Sequence, residues 1–167
     1  MTASDPETFQ FAADGAFPNS RLPVLIYRRL DLAGTAAAAE NAFAANNWLG
    51  AWRDGIFSFH HFHSTAHEVL AIVGGGARVT LGGPSGRTFE VGRGDVLVLP
   101  AGTGHRNGGS SGDFLVVGAY PDGMDWDLKR GDPAEYEDAQ RTIAGVPLPD
   151  ADPVHGAAGP LTRLWRE

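Results

Sequence analysis

Apolar and polar positions along the chain change their rhythm twice. Residues 1–20 are polar and broken by Pro6, Gly15 and Pro18, which predicts an irregular arm. The run LPVLIYRR over residues 22–29 is apolar and β-branched, as expected of a first strand at a sheet edge or over a dimer contact. Alanine dominates residues 33–47, with Gly34 or Thr35 as N-cap and Asn46 or Asn47 near the stop, so one helix is expected to pack on the sheet. Beyond Trp48, short apolar runs alternate with glycine turns. They predict strands near residues 50–53, 56–63, 68–73, 77–81, 88–91, 96–99 and 114–120, with a long turn over 101–112. Strands at this spacing, without intervening helices, predict an all-β sandwich or barrel. After Tyr120 the strand signal fades. Residues 133–144 open with a proline followed by acidic residues and predict a short helix. The proline-rich end is expected to run extended across the barrel, anchored by Leu161, Leu164 and Trp165. One domain over residues 1–167 is the expectation, with its barrel core at about 50–120 and a C-terminal helix and tail over 121–167.

Composition narrows the class. The 23 glycines and 11 prolines among 167 residues fit many turns between short strands. A formal net charge of −7 and the absence of any basic run argue against a nucleic-acid backbone or an anionic membrane as partner. With no cysteine, thiolate ligands, thiol nucleophiles and disulfides are excluded, which fits a reducing cytoplasm. The start MTASDPETF has neither a positive n-region nor an apolar h-region, and no apolar run is long enough to span a bilayer. A cytoplasmic protein is expected.

Chemistry concentrates in GIFSFHHFHSTAHEVLAIVGG, residues 55–75. Four of the six histidines, His60, His61, His63 and His67, fall here, followed at once by Glu68. Neutral imidazole and carboxylate are lone-pair donors to divalent cations. If residues 56–63 form a strand, Phe57, Phe59, His61 and His63 share one face, and His60 lies on the other. A turn at residues 64–66 then lets Glu68 join His61 and His63 from the neighbouring strand. Residues 94–109, GDVLVLPAGTGHRNGG, add His105 after a short apolar strand and a bend at Pro100 and Gly102. His67 and Glu68 do not form a zinc-protease motif, because Ala71 stands where the second histidine belongs. The glycines at 74–76 and 82–83 read as turns, with no strand–glycine–helix setting for a nucleotide.

Together these two segments resemble the cupin superfamily. Its first motif is glycine, five residues, His-x-His, three or four residues, glutamate, six residues and glycine; Gly55, His61, His63, Glu68 and Gly75 meet it. Its second is glycine, five residues, proline, one residue, glycine, two residues, histidine, three residues and asparagine. Gly94, Pro100, Gly102 and His105 meet it, while Gly109 replaces the final asparagine and the nearest one is Asn107. The wording resembles small bacterial single-domain cupins of unassigned activity. The resemblance implies a double-stranded β-helix, or jelly roll, holding one divalent transition metal (Fe, Mn, Ni, Zn or Cu) through His61, His63, Glu68 and His105. Such a donor set leaves about two octahedral positions for water, dioxygen or a chelating substrate. His67 stands as a reserve ligand, since three residues also separate family glutamates from the His-x-His pair; otherwise it supports the site from outside.

The functional expectation is a metal-dependent enzyme, dioxygenase- or isomerase-like, acting on a small oxygenated substrate. A non-catalytic metal-dependent module that binds or senses a small ligand is the alternative, and a purely structural ion is a third. Arg53, Tyr27, Arg106 and Thr103 are the polar residues near the motifs available to orient a substrate. Trp48, Trp52, Trp126 and Trp165 line a pocket or fill the core. Cupins commonly pair through β-strands, so a homodimer is expected, with residues 22–27 as the candidate strand.

Overall fold

The middle strands of the chain are apolar on both faces, and this decides the architecture. A computed structural model describes residues 5–166. In chain order its strands are β1 (Glu7–Phe9), β2 (Val24–Tyr27), β3 (Trp48–Asp54), β4 (Glu68–Gly74), β5 (Gly76–Leu81), β6 (Arg87–Gly92), β7 (Val96–Leu99), β8 (His105–Ser110) and β9 (Leu115–Pro121). They form two antiparallel sheets, ordered β1-β2-β7-β4-β9-β3 and β6-β5-β8. This is the expected all-β jelly roll.

Strand periodicity sorts the core into two layers. From β4, Val69, Ala71 and Val73 pack outward with Val96, Val98, Val117 and Ala119 against Phe43 of the helix α1 (Ala36–Ala45). Leu70 and Ile72 point the other way, into the barrel, where they meet Val79, Leu81, Phe89 and Val91 of the smaller sheet. Glu68 is in phase with Leu70 and Ile72, so the same alternation carries a carboxylate into the interior.

Thr35 caps α1 by accepting the Ala38 N–H at 3.1 Å, and Asn46 closes it, as the sequence predicts. The helix α2 (Tyr136–Ala144) follows a 3-10 turn over Pro133–Glu135.

Five expectations need correction. Residues 56–63 do not form a strand: the backbone of His61 pairs with His105, that of Phe62 with Lys129, and the Asn107 N–H reaches Phe57 O at 2.9 Å. Three partners in different directions prevent a continuous ladder. The long turn over 101–112 contains β8, because residues 105–110 complete the exposed side of β5. The N-terminal arm is not wholly irregular; Glu7–Phe9 pairs with β2, helped by an ion pair from Glu7 to Arg28 at 2.8 Å. Residues 1–4 of that arm lie outside the described residues. With β1 on one side and β7 on the other, Val24–Tyr27 is an interior strand and not an edge available to a second copy. The tail is not simply extended either. It ends in a one-turn helix, α3 (Leu161–Leu164), with Pro160 at its N-cap, where its missing N–H is not needed.

That tail is pinned by a buried carboxylate. Asp152 accepts the N–H groups of Val154, His155 and Leu161 at 2.7, 3.0 and 3.1 Å, together with the Tyr27 hydroxyl. Trp48 and Trp165, both in the core, donate their indole N–H groups to Ala151 O and Pro23 O. Replacing Asp152 with alanine leaves a buried hydroxyl and three amides without their acceptor. We expect Asp152→Ala to lose about 3 kcal/mol in urea-induced unfolding, and Asp152→Asn, which retains one acceptor oxygen, to lose less.

Candidate metal centre

The site is assembled by a backbone pair between residues far apart in sequence. His61 and His105 exchange N–H···O bonds of 3.1 and 2.8 Å, which brings their rings to 4.0 Å between centroids. The Gly102 N–H donates to His63 O at 2.8 Å and fixes the bend before His105. Gly102 has φ +97°, and a Cβ there would stand 2.4 Å from Asn19 O, so only glycine fits this turn. Asn107, not the expected position 109, supplies the local turn bond: its Oδ1 accepts the Gly109 N–H at 2.8 Å.

Each of the three histidines is oriented by a main-chain carbonyl. His61 Nδ1 lies 2.9 Å from Phe59 O, His63 Nδ1 2.5 Å from Asp127 O, and His105 Nδ1 2.9 Å from Thr103 O. A carbonyl only accepts, so each Nδ1 carries the proton and each Nε2 presents its lone pair. The ligand atoms of these three buried residues lie within 4.8 Å of one another. Glu68 joins them from β4. Its Oε1 is 3.5 Å from His63 Nε2 and 3.4 Å from His105 Nε2, yet has no hydrogen-bond partner among the described residues. At 3 % exposure such an oxygen is costly unless something else fills its lone pairs. Three inward lone pairs and an orphaned carboxylate oxygen are the donor set that a divalent transition ion requires.

The electrostatics follow from burial. Burial, and then the neighbouring His105, push the His61 pKa down to about 3. For His63 burial also acts downward, but the Glu68 carboxylate more than offsets it and leaves the pKa raised. Burial raises Glu68, while His105 and His63 outweigh this and hold it below the usual carboxylate range.

These groups form the floor of a cavity of about 530 Å³ walled by Trp52, Ile56, Phe57, Leu70, Tyr120 and Trp126. Trp52 lies flat over Gly118, where a Cβ would meet its ring at 2.2 Å, and donates its indole N–H to the Tyr120 hydroxyl at 2.8 Å. The phenol's own proton is left for the Glu68 side. Burial, and then the Glu68 charge, raise the Tyr120 pKa, so the hydroxyl stays protonated. Asp127 ties the far segment to the turn after His63: its carboxylate accepts the Ser64 N–H at 2.6 Å and also the Ser64 hydroxyl.

The candidate residues His61, His63, Glu68 and His105 thus meet, and His67 does not join them. His67 Nδ1 accepts the Ala101 N–H at 2.9 Å and Nε2 donates to Pro147 O at 3.1 Å, so both nitrogens are engaged. Burial lowers its pKa to about 4, and it is neutral at physiological pH. His60 faces away, edge-on to Phe17, with Nε2 3.4 Å from Arg106. Phe57, expected inside beside His61, is 47 % exposed at the cavity rim because the strand alternation it relied on is missing. Of the residues considered for orienting a substrate, Arg53 alone lines this cavity, and it is paired with Glu40; Tyr27 is bonded to Asp152. Sequence reasoning missed Tyr120, although period two from Val116 through Gly118 points it inward. No local signal marks Asp127.

The family model described as Cupin matches residues 53–120. A Bacillus subtilis protein of uncharacterized function, YjlB, is 36% identical over 162 residues, spanning 96% of this chain and 97% of that protein. The chain belongs to the cupin family. Among solved structures, this cupin is similar to an acireductone dioxygenase from Bacillus anthracis with a cadmium ion in its active centre, at 17% identity and a TM-score of 0.41 over 58% of this chain and 76% of that one. It is also similar to a variant of Bacillus subtilis oxalate decarboxylase, at 20% identity and a TM-score of 0.40 over 68% of this chain and 29% of that one. Among the described residues no helix is long and apolar enough to cross a membrane.

His67 offers a direct check on the division between the candidate ligands and the residues that support them. His67→Ala leaves the Ala101 N–H and Pro147 O unpaired and should cost about 2 kcal/mol in denaturant unfolding. Elemental analysis of the folded variant should still find the wild-type metal content.

Proposed function

We propose that this cupin is a metal-dependent enzyme, dioxygenase- or isomerase-like, that holds one divalent transition ion through His61, His63, Glu68 and His105 and acts on a small oxygenated molecule. The observation that carries this reading is the buried Glu68 Oε1, without a hydrogen-bond partner among the described residues and facing two histidine Nε2 atoms at 3.4 and 3.5 Å on the floor of an accessible cavity. A structural staple has no need of a cavity of that size; a site that admits a ligand does. When bound, such an ion supplies Lewis-acid polarisation of a ligand oxygen or, if redox-active, activation of dioxygen.

The chain's own residues contribute orientation and exclusion of water. The carbonyls of Phe59, Thr103 and Asp127 keep each imidazole in the tautomer that presents Nε2. Leu70, Ile56 and Trp52 line the cavity and leave a bound molecule few competing polar partners. Tyr120, protonated and braced by Trp52, offers a hydrogen-bond donor beside the carboxylate.

Metal analysis of the protein purified from cells decides the first part. We expect one transition ion per chain and its loss in His61→Ala and His105→Ala; unchanged metal content in both variants would overturn the ligand assignment. Oxygen consumption or product formation with a panel of diketones and hydroxyaromatics supports the enzyme, and ligand binding without turnover supports a non-catalytic binding module. Asp127 gives a further expectation. Asp127→Ala releases the turn at Ser64 and the carbonyl that steadies His63, so metal affinity measured by chelator competition should fall roughly 10- to 100-fold while the far-ultraviolet circular dichroism is retained.

A further inference from the structure

Above the four metal-facing groups the cavity wall changes character. Phe57 and Trp126 flank its mouth at 47 % and 48 % exposure, large aromatic surfaces left in contact with water beside a concave site. Trp126 stands in a T-shaped contact with His63 at 5.3 Å between centroids, and its plane lies within 18° of the Tyr120 ring at 6.4 Å. Among the described lining residues, Arg53 is the one permanent cation, and Glu40 occupies its guanidinium through two hydrogen bonds of 2.9 and 2.7 Å. The second carboxylate of a short aliphatic diacid would find no unpaired cation there. A flat apolar body, by contrast, gains ring-on-ring contact and removes exposed aromatic surface from water.

Resting on the metal centre proposed above, we infer that this cavity takes a planar aromatic molecule bearing adjacent metal-binding oxygens, with its ring against Trp126 and Phe57 and one oxygen accepting the Tyr120 O–H. The volume of about 530 Å³ falls within the roughly 300–1,000 Å³ of small-molecule sites. The donor is in a fixed position because Trp52 occupies the Tyr120 oxygen from the other side. The aromatic wall sets the class of ligand, and the phenol selects for an oxygen at its chelating edge.

A matched pair of probes tests this. Benzohydroxamate and acetohydroxamate offer a metal the same oxygens and differ by the ring, so their affinities for the zinc-loaded protein, measured by calorimetry, isolate the wall. Benzohydroxamate should bind about tenfold more tightly. Trp126→Ala and Phe57→Ala, both at half-exposed positions that the fold tolerates, should each shrink that ratio towards one. Tyr120→Phe should weaken both probes roughly fivefold, the loss of one hydrogen bond. A wild-type ratio near one, or a ratio unmoved by either wall variant, overturns the aromatic assignment while zinc uptake stands. A protein that takes up no zinc overturns the metal centre and this inference with it.

Discussion

A carboxylate buried inside a β-barrel must be compensated, and the architecture around Glu68 is organised by that need. Glu68 occupies the first position of β4, in phase with Leu70 and Ile72, so strand geometry turns it into the barrel, where only the cavity floor reaches it. One of its oxygens has no hydrogen-bond partner among the described residues, and desolvation works against its charge. What faces it is a set of imidazoles whose proton-bearing nitrogens are already taken by carbonyls. Polar groups left open towards one another in an apolar barrel are stable only with a cation between them or a proton shared among them. The fold thus keeps a binding demand at its centre, and the cavity above gives that demand access to small molecules.

The segment after β9 shapes this site without contributing one of the four groups that face one another. Asp127 holds the turn that follows His63, Trp126 closes one wall, and Lys129 pairs its backbone with Phe62. Further along, Asp152, Trp48 and Trp165 lock the remaining tail onto the outer face of the large sheet. His67 links the two regions, bonding the loop before His105 through Ala101 and the tail through Pro147. The residues that look like excess histidines beside a metal motif therefore divide by function. Those with an uncommitted Nε2 face Glu68, and the one with both nitrogens engaged holds chain segments together.

Tryptophan divides in the same way. Trp48 and Trp165 are buried and satisfy their indole N–H groups on carbonyls of the opposite chain terminus. Trp52 and Trp126 face the cavity, where Trp52 braces a phenol and Trp126 remains half exposed. Nothing in their local sequence separates the two pairs. The separation comes from which sheet face and which loop each one occupies.

Periodicity and spacing determine much of this protein. Alternation along residues 68–73 predicts β4 and turns Glu68 inward; the alanine run and Thr35 predict α1; the fixed intervals from Gly55 to Gly75 and from Gly94 to His105 pick out the four residues that meet. These are local properties, set by the pleat of a strand and the reach of a turn. Contacts between remote segments decided the rest. Residues 56–63 have strand-like composition but bond to His105, Lys129 and Asn107 in turn, so the expected alternation fails even though His61 and His63 still converge. Asp127 and the engaged state of His67 became visible only with the tertiary structure, because hydrogen-bond partners 34 to 80 residues away leave no pattern in the sequence beside them. The histidine-rich stretch supplied the donors; the return of distant chain determined which of them face one another and what stands over them.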